Sequence, residues 1–364
     1  MTPTVSFVVP CYKLGHLLAE CVTSILSQTY GDFEILIMDD CSPDNTPEVA
    51  RSFNDPRVIH VRNERNLGHL SNYNKGIQLS RGKYIWLISA DDRLEVNYAL
   101  EKYVAVMEQH PSVGYVCCTG IELVNGRRHR VAPYSVQAHR DAVFRGKDFL
   151  RRLLSSNSII AAAGMVRREC YDSVGMFPLD LPYAGDWFLW CVLALRYDVA
   201  YCAEPMVAYR LHTACITERI LDDNAKVCAD NDVMVLWRVM REVQKLGAQD
   251  LLRPCMRAIA YEYARQLLGK TYRGREFRRT EQQCADSISQ FTHCNVERQT
   301  ITALMLTSAG DLCVQAGAPQ RAMRYYERAN RIRRTTSTAL KLALVRTGRL
   351  GAVVRRCAFT LRHA

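Results

Sequence analysis

The chain has 364 residues, 48% of them hydrophobic and 23% charged, which is ordinary for a folded protein with one large or two medium cores and excludes wholesale disorder. The net charge of +11 is concentrated at the end: from Arg321 to Ala364 eleven arginines and one lysine face the single acid Glu327, which equals the whole excess. No apolar stretch approaches the roughly 18 residues of a membrane span, and the longest, Trp187 to Leu195, reaches about half of it.

The first hundred residues alternate short β-branched runs with amphipathic stretches. Val5–Val9, Glu34–Met38, Arg57–Val61 and Tyr84–Ile88 read as strands that end at turn or acidic residues. Between the first two, Leu17, Leu18, Cys21, Val22, Ile25 and Leu26 recur at helical spacing; Pro47 to Phe53 and Asn72 to Leu79 supply further crossover helices. This rhythm predicts an α/β fold with a mostly parallel sheet covered on both faces, whose ligands bind beyond the carboxyl ends of the strands. Short strands follow near Val113–Cys117 and Ala200–Cys202, with a helix near Trp187–Leu195. After about Ile220 the pattern turns helical almost without strand signals. Leu312–Ala316 with Ala322, Tyr325, Tyr326 and Ala329 forms a paired-helix unit faintly like a tetratricopeptide repeat. The expected division is 1–218 and 219–364.

The fifteen cysteines are scattered, with no Cys-x-x-Cys and no zinc spacing. The first residues lack the basic region and long apolar run of a secretory signal. Free, mostly buried thiols and a cytoplasmic location are therefore expected.

Four features carry chemistry. Asp39-Asp40 closes the second apolar run; the pair suits either an N-cap with a solvated turn or a carboxylate that accepts hydrogen bonds from a base or ribose. Ser89-Ala90-Asp91-Asp92 closes the fourth. Adjacent carboxylates repel, so a divalent cation such as Mg²⁺ or Mn²⁺ with phosphate oxygens fits there, as does the N-terminus of a helix over Leu94–Val106. Asp186 opens an apolar helix beside Trp187, as an N-cap or as a general base. His212 in Tyr209-Arg210-Leu211-His212 is a structural imidazole or a ligand, judged by the acids near it.

Together these pieces resemble the family 2 glycosyltransferases, which have the GT-A (Rossmann-like) fold. Val5-Ser-Phe-Val-Val-Pro-Cys-Tyr-Lys13, Ser24-Ile-Leu-Ser-Gln-Thr-Tyr30, Phe33-Glu-Ile-Leu-Ile-Met-Asp-Asp-Cys-Ser42, Asn66-Leu-Gly68, Asn74-Lys-Gly76 and Gly82-Lys-Tyr-Ile-Trp-Leu-Ile-Ser-Ala-Asp-Asp92 match in order and spacing, and Met165–Phe177 resembles the acceptor-side region. The likeness spans roughly residues 4–215. It implies a GT-A domain, which the helical pattern after Ile220 extends with an α-helical C-terminal region. It also implies an inverting transfer of sugar from a nucleotide-sugar donor, by family habit a UDP-sugar, to a saccharide or lipid-linked acceptor in cell-surface polysaccharide or glycolipid synthesis. Pro10, Tyr12, Asp40 and Arg65 would line the nucleotide pocket, with Tyr12 near the base and Asp40 bonded to it. Asp91 and Asp92 would serve ribose and metal, His212 the diphosphate or metal, and Asp186 would be the base, with Mn²⁺ or Mg²⁺ as cofactor. Three positions depart from the family pattern: Ser89 replaces the first acid of the Asp-x-Asp motif, Lys13 an asparagine, and Cys41 a glycine.

Two rivals fit less well. A nucleotidyltransferase would carry a Gly-rich, lysine-bearing turn, which Pro10-Cys-Tyr-Lys-Leu-Gly15 is not. A non-catalytic binding module has no need of Asp40, Asp91, Asp92 and Asp186 together. The basic tail is expected to meet an anionic membrane surface at the inner leaflet rather than nucleic acid, since no nucleic-acid motif accompanies it.

Overall fold

A computed structural model describes residues 2–212, 220, 224–272 and 274–347. Two compact units divide the chain, Met1–Arg219 and Ile220–Ala364.

In the first unit, β1 (Val5–Cys11) and β2 (Phe33–Asp39) are buried along their whole length, which is why both are apolar on both faces apart from Ser6, Glu34 and Asp39, whose polar atoms are hydrogen-bonded. They pair in parallel, with β3 (Val58–Arg62) beside β2 and β4 (Tyr84–Leu87) on the other side of β1. The sheet path continues through β9 (Met165–Arg167), β6 (Val113–Val124) and β10 (Asp198–Leu211) to β5 (Arg93–Leu94). Between β3 and β10 along this path only β9 runs against the others, so the central sheet is mostly parallel. The antiparallel strands β5, β7 (Arg127–Val131) and β8 (Ala142–Phe144) extend it.

Helices cover the sheet. The first, α1 (Gly15–Leu26), buries Leu18, Cys21, Val22 and Ile25, the stripe its sequence period requires. Helices α2 (Thr46–Arg51), α3 (His69–Leu79) and α4 (Ala99–Gln109) follow the next strands. Helix α3 lies so close that a Cβ on Gly76 would fall 2.4 Å from Val8 Cγ1, so only glycine fits there. Phe7, Trp86 and Tyr103 stack through the core, at 5.4 and 4.4 Å between successive centroids, and Trp86 Nε1 donates to Ala162 O at 2.8 Å. Helices α5 (Gly146–Leu153), α6 (Arg168–Val174) and α7 (Gly185–Arg196) complete the unit.

Two local expectations change. The helix placed over Leu94–Val106 begins only at Ala99, because residues 93–94 pair with β10; Asp91 and Asp92 therefore do not open a helix. Asp186 is not an N-cap: Ala184 holds that position, and Asp186 sits inside the first turn.

The second unit is helical: α8 (Ala225–Lys245), α9 (Gln249–Leu267), α10 (Glu281–Phe291), α11 (Asn295–Gln315), α12 (Pro319–Ile332) and α13 (Thr336–Arg346). One short hairpin, β11 (Lys270–Tyr272) with β12 (Arg275–Phe277), lacks the length to register as a strand signal in the sequence. The paired-helix unit is present: Tyr326 of α12 lies against Gly310 of α11 and donates to Asp311 Oδ1 at 2.6 Å. Thirteen cysteines lie among the described residues, all free thiols and mostly buried. No described helix is long and apolar enough to cross a membrane.

Candidate active site

The carboxyl ends of β1, β2 and β4 are laced together by their backbones. Asp40 N donates to Cys11 O at 2.9 Å, Ile88 N to Val8 O at 2.9 Å, and Ala90 N to Pro10 O at 3.1 Å. Pro10, Asp40 and the Ser89–Asp92 turn therefore share one edge, with Tyr12, partly exposed, just beyond β1.

Asp39 is fully buried and engaged: its carboxylate accepts Ser42 N at 2.8 Å, Arg62 Nη1 at 2.6 Å and His60 Nε2 at 3.3 Å. Asp40, 2% exposed, takes Asn63 Nδ2 and Leu67 N on Oδ1, each at 2.8 Å, and Gly68 N on Oδ2 at 3.0 Å. Neither acid lies in a solvated turn. Asp40 thus moors the Asn66-Leu67-Gly68 loop and keeps one lone pair on Oδ2 for a ligand. Arg65, just before that loop, is exposed.

Lys13 and Cys41, which stand where the family carries asparagine and glycine, both have φ of +59°. Asparagine and glycine tolerate this left-handed conformation and longer side chains resist it, so both replacements strain the turns that flank the pocket.

At the end of β4, Asp91 Oδ2 lies 2.9 Å from His212 Nε2, just past β10. Asp92, 4% exposed, accepts Arg210 N on Oδ1 at 2.9 Å, which leaves Oδ2 for a ligand. Arg210 Nε donates to Asp91 O at 2.9 Å and Nη2 to Glu20 Oε2 at 2.8 Å, so one arginine ties the acidic turn to β10 and α1. Burial, with the neighbouring Asp91 adding to it, pushes the Asp92 carboxyl well above its ordinary range. Two carboxylates and an imidazole of the kind that bind divalent cations lie along this edge, but among the described residues no group of three or more His, Cys, Asp or Glu side chains stands arranged to hold a metal ion.

Asp186 is carried by the first turn of α7. Asn74 clamps Phe177 by its backbone, donating to O at 2.8 Å and accepting from N at 3.0 Å, and His69 Nε2 donates to Pro182 O at 3.0 Å. Trp187 Nε1 donates to Leu153 O at 2.8 Å and fixes the first turn of α7. The Asp186 carboxylate accepts Trp187 N at 2.7 Å and Asn157 Nδ2 at 2.9 Å. Burial raises its pKa, opposed by these hydrogen bonds. Some solvent exposure remains at Asp186.

Tyr73 of α3 joins the two sides. Its ring meets His69 and Phe177 edge-on, each with centroids 5.6 Å away. Burial raises its hydroxyl pKa, and the charges of Asp91, Asp186 and Asp92 raise it further. The phenol therefore stays protonated. Sequence reasoning missed Tyr73, Arg210 and Asn157. Arg210 could have been sought beside His212, whereas Tyr73 and Asn157 carry no local signal.

A mostly parallel sheet with acids gathered at its carboxyl edge, and a helical region after it, defines the GT-A class of glycosyltransferase. Residues 6–175 match glycosyl transferase family 2, and the N-terminal unit belongs to that family. An uncharacterized glycosyltransferase of Rickettsia prowazekii is 26% identical over 221 residues, covering 61% of this chain and 68% of that protein. Glycosyltransferase GlyG of Streptococcus pneumoniae serotype 4 is 38% identical over 117 residues, 31% of this chain and 38% of GlyG. Among solved structures, S. aureus TarS 1–349 in complex with UDP superposes with a TM-score of 0.59 at 16% identity, covering 95% of this chain and 92% of that one. TarS 1–349 has also been solved with UDP-GlcNAc, and there the TM-score is 0.58.

Proposed function

We propose that this chain transfers a sugar from a nucleotide-sugar donor, of the UDP type, to the hydroxyl of a saccharide or lipid-linked acceptor with inversion at the anomeric carbon, in the synthesis of a cell-surface polysaccharide or glycolipid. The observation that carries this reading is the gathering of Asp40 and the Asp91–Asp92 turn at one carboxyl edge of a mostly parallel sheet, where Asp40 N bonds to Cys11 O and Ala90 N to Pro10 O, in a unit that matches glycosyl transferase family 2. The UDP and UDP-GlcNAc bound by TarS, which shares the fold, favour a uridine donor.

In this reading Pro10, Tyr12 and Asp40 receive the nucleoside, with the open lone pair of Asp40 Oδ2 meeting a base N–H, and exposed Arg65 closes over the nucleotide. Asp91, Asp92 Oδ2 and His212 would hold Mn²⁺ or Mg²⁺, which when bound neutralises charge on the diphosphate. Asp186 takes the acceptor's proton as its oxygen bonds to carbon 1 and the bond from carbon 1 to the diphosphate oxygen breaks. Inversion needs one base and no covalent intermediate. Burial makes Asp186 a stronger base than a free carboxylate so long as its hydrogen bonds keep it ionised.

A panel of nucleotide sugars assayed for transfer and donor hydrolysis identifies the donor. Asp186→Asn keeps donor affinity and loses turnover by about 10²-fold or more on general-base magnitudes; near-normal turnover removes Asp186 from the base position.

The second unit favours attachment to an anionic membrane surface. Arg321, Arg324, Arg328 and Arg331 recur at intervals of three and four along α12 and are exposed, Arg328 paired with Glu281 of α10, while Ala322, Tyr326 and Ala329 of the same helix are buried. Exposed Arg333 and Arg334 follow. Arginines near an anionic surface contribute about 1 kcal/mol each. The rest of the basic stretch, 348–364, lies outside the described residues. Sedimentation with phosphatidylserine vesicles and not with neutral ones is expected; equal sedimentation with both ends the membrane reading.

A further inference from the structure

The Asp186 carboxylate has a partner that no sequence motif announced. Asn157 lies in the segment between α5 and β9, and its Nδ2 donates to Asp186 Oδ2 at 2.9 Å. The amide is not free to turn around. Its Oδ1 accepts Ile159 N at 3.3 Å, so the NH₂ end faces the carboxylate.

The segment is itself pinned. Gln137 Nε2 donates to Ser158 O at 3.0 Å. Ile160 sits so tightly on β6 that a Cβ on Gly120 would lie 2.2 Å from Ile160 Cδ1. Nearby, Leu153 O receives the Trp187 indole at 2.8 Å. Asn157 is thus delivered by a rigid wall, and Asp186 is gripped from two directions, by Trp187 N on Oδ1 and by Asn157 on Oδ2.

We infer that Asn157 is the positioning residue of the transfer reaction, fixing the rotamer of Asp186 towards the acceptor and holding its carboxylate ionised within the buried cleft. The inference rests on the reading of Asp186 as the base. The physical reason is that an amide N–H stabilises the charged form of a carboxyl and not its neutral form, so it opposes the effect of burial. Without it, a base desolvated by its surroundings would keep its proton at higher pH and be idle for more of the working range. The other donor, Trp187 N–H, belongs to the helix and cannot be tuned by substitution.

Tyr73 on α3 stays a neutral phenol. His69 on the same helix is bonded to Pro182 O. Asp148, Arg151 and Arg152 on α5, and Glu169 and Asp172 on α6, are exposed. Asp180, in the segment leading into α7, is exposed as well.

The test uses the full chain labelled with carbon-13 at the aspartate Cγ, with the Asp186 resonance assigned as the one missing from Asp186→Asn. Asn157→Ala raises the titration midpoint of that resonance by about one pH unit, the shift expected for losing one hydrogen bond to a charged group. Asn157→Asp, which is isosteric and adds a second negative charge, raises it further. Transfer at pH 7 falls roughly tenfold or more in both, and the acid limb of kcat/KM moves up with the midpoint. If Asn157→Ala does not fold, Asn157→Asp provides the same readout. A midpoint unchanged from the parent in the folded variants overturns the inference, whatever happens to turnover. The underlying reading fails separately, through an active Asp186→Asn, and the midpoints remain informative about Asn157 in that event.

Discussion

Two pairs of adjacent acids end two parallel strands only one strand apart, and the fold uses them in opposite ways. At the end of β2, Asp39 and Asp40 are buried and between them accept six hydrogen bonds from Ser42, His60, Arg62, Asn63, Leu67 and Gly68. At the end of β4, the Asp91 carboxylate meets only the imidazole of His212, and Asp92 spends one oxygen on the Arg210 backbone, among the described residues. The first pair is chiefly a fastening, with one lone pair of Asp40 Oδ2 to spare, and the second an opening. Asp39, buried among backbone, imidazole and guanidinium donors, has little left to offer a ligand and Asp40 keeps a single lone pair, whereas the β4 acids share fewer donors and leave more oxygen open.

The contrast makes distinct demands on variants. Asp39→Ala strips Arg62 and the Ser42 N–H of a buried partner and should lower unfolding stability by about 3 kcal/mol, measured by urea titration. A midpoint equal to the parent's would mean that the β2 pair is no fastening. Asp91→Ala should leave stability within about 1 kcal/mol of the parent, yet weaken manganese-dependent binding of UDP by roughly tenfold or more in calorimetry. The comparison collapses if that variant loses stability on the scale of Asp39→Ala while its UDP affinity holds. The smallest effect concerns the strained turn. Cys41→Gly relieves a φ of +59° and should raise the thermal midpoint by an amount worth about 1 kcal/mol, with any fall in stability counting against strain at that turn.

Much of the N-terminal unit was legible in its residues. The β-branched runs and the helical stripe of Leu18, Cys21, Val22 and Ile25 announce buried strands and a covering helix, because a parallel sheet sandwiched between helices excludes polar side chains from its strands. The order of the acidic motifs likewise pointed to the edge where Asp40, Asp91 and Asp92 meet. Less legible was the local duty of each residue. Nothing near Asp91 in the chain says that a helix begins only at Ala99, since the two-residue pairing of Arg93 and Leu94 with β10 depends on a strand more than a hundred residues away. The α12 arginines could be counted from the sequence, but their exposure could be assigned only once Ala322, Tyr326 and Ala329 were seen to be buried.

The sequence by itself determined the class of fold, the family resemblance and the residue types available for chemistry, because periodicity and strand-end acids are local properties of the chain. Tertiary structure alone decided which acid is spent and which is open. That outcome turns on partners distant in sequence: Arg62 and Leu67 for the β2 pair, Arg210 and His212 for the β4 pair, and Asn157 for Asp186. A carboxylate's function depends on how many donors surround it and how much water it has lost, and both are properties of the folded space around it.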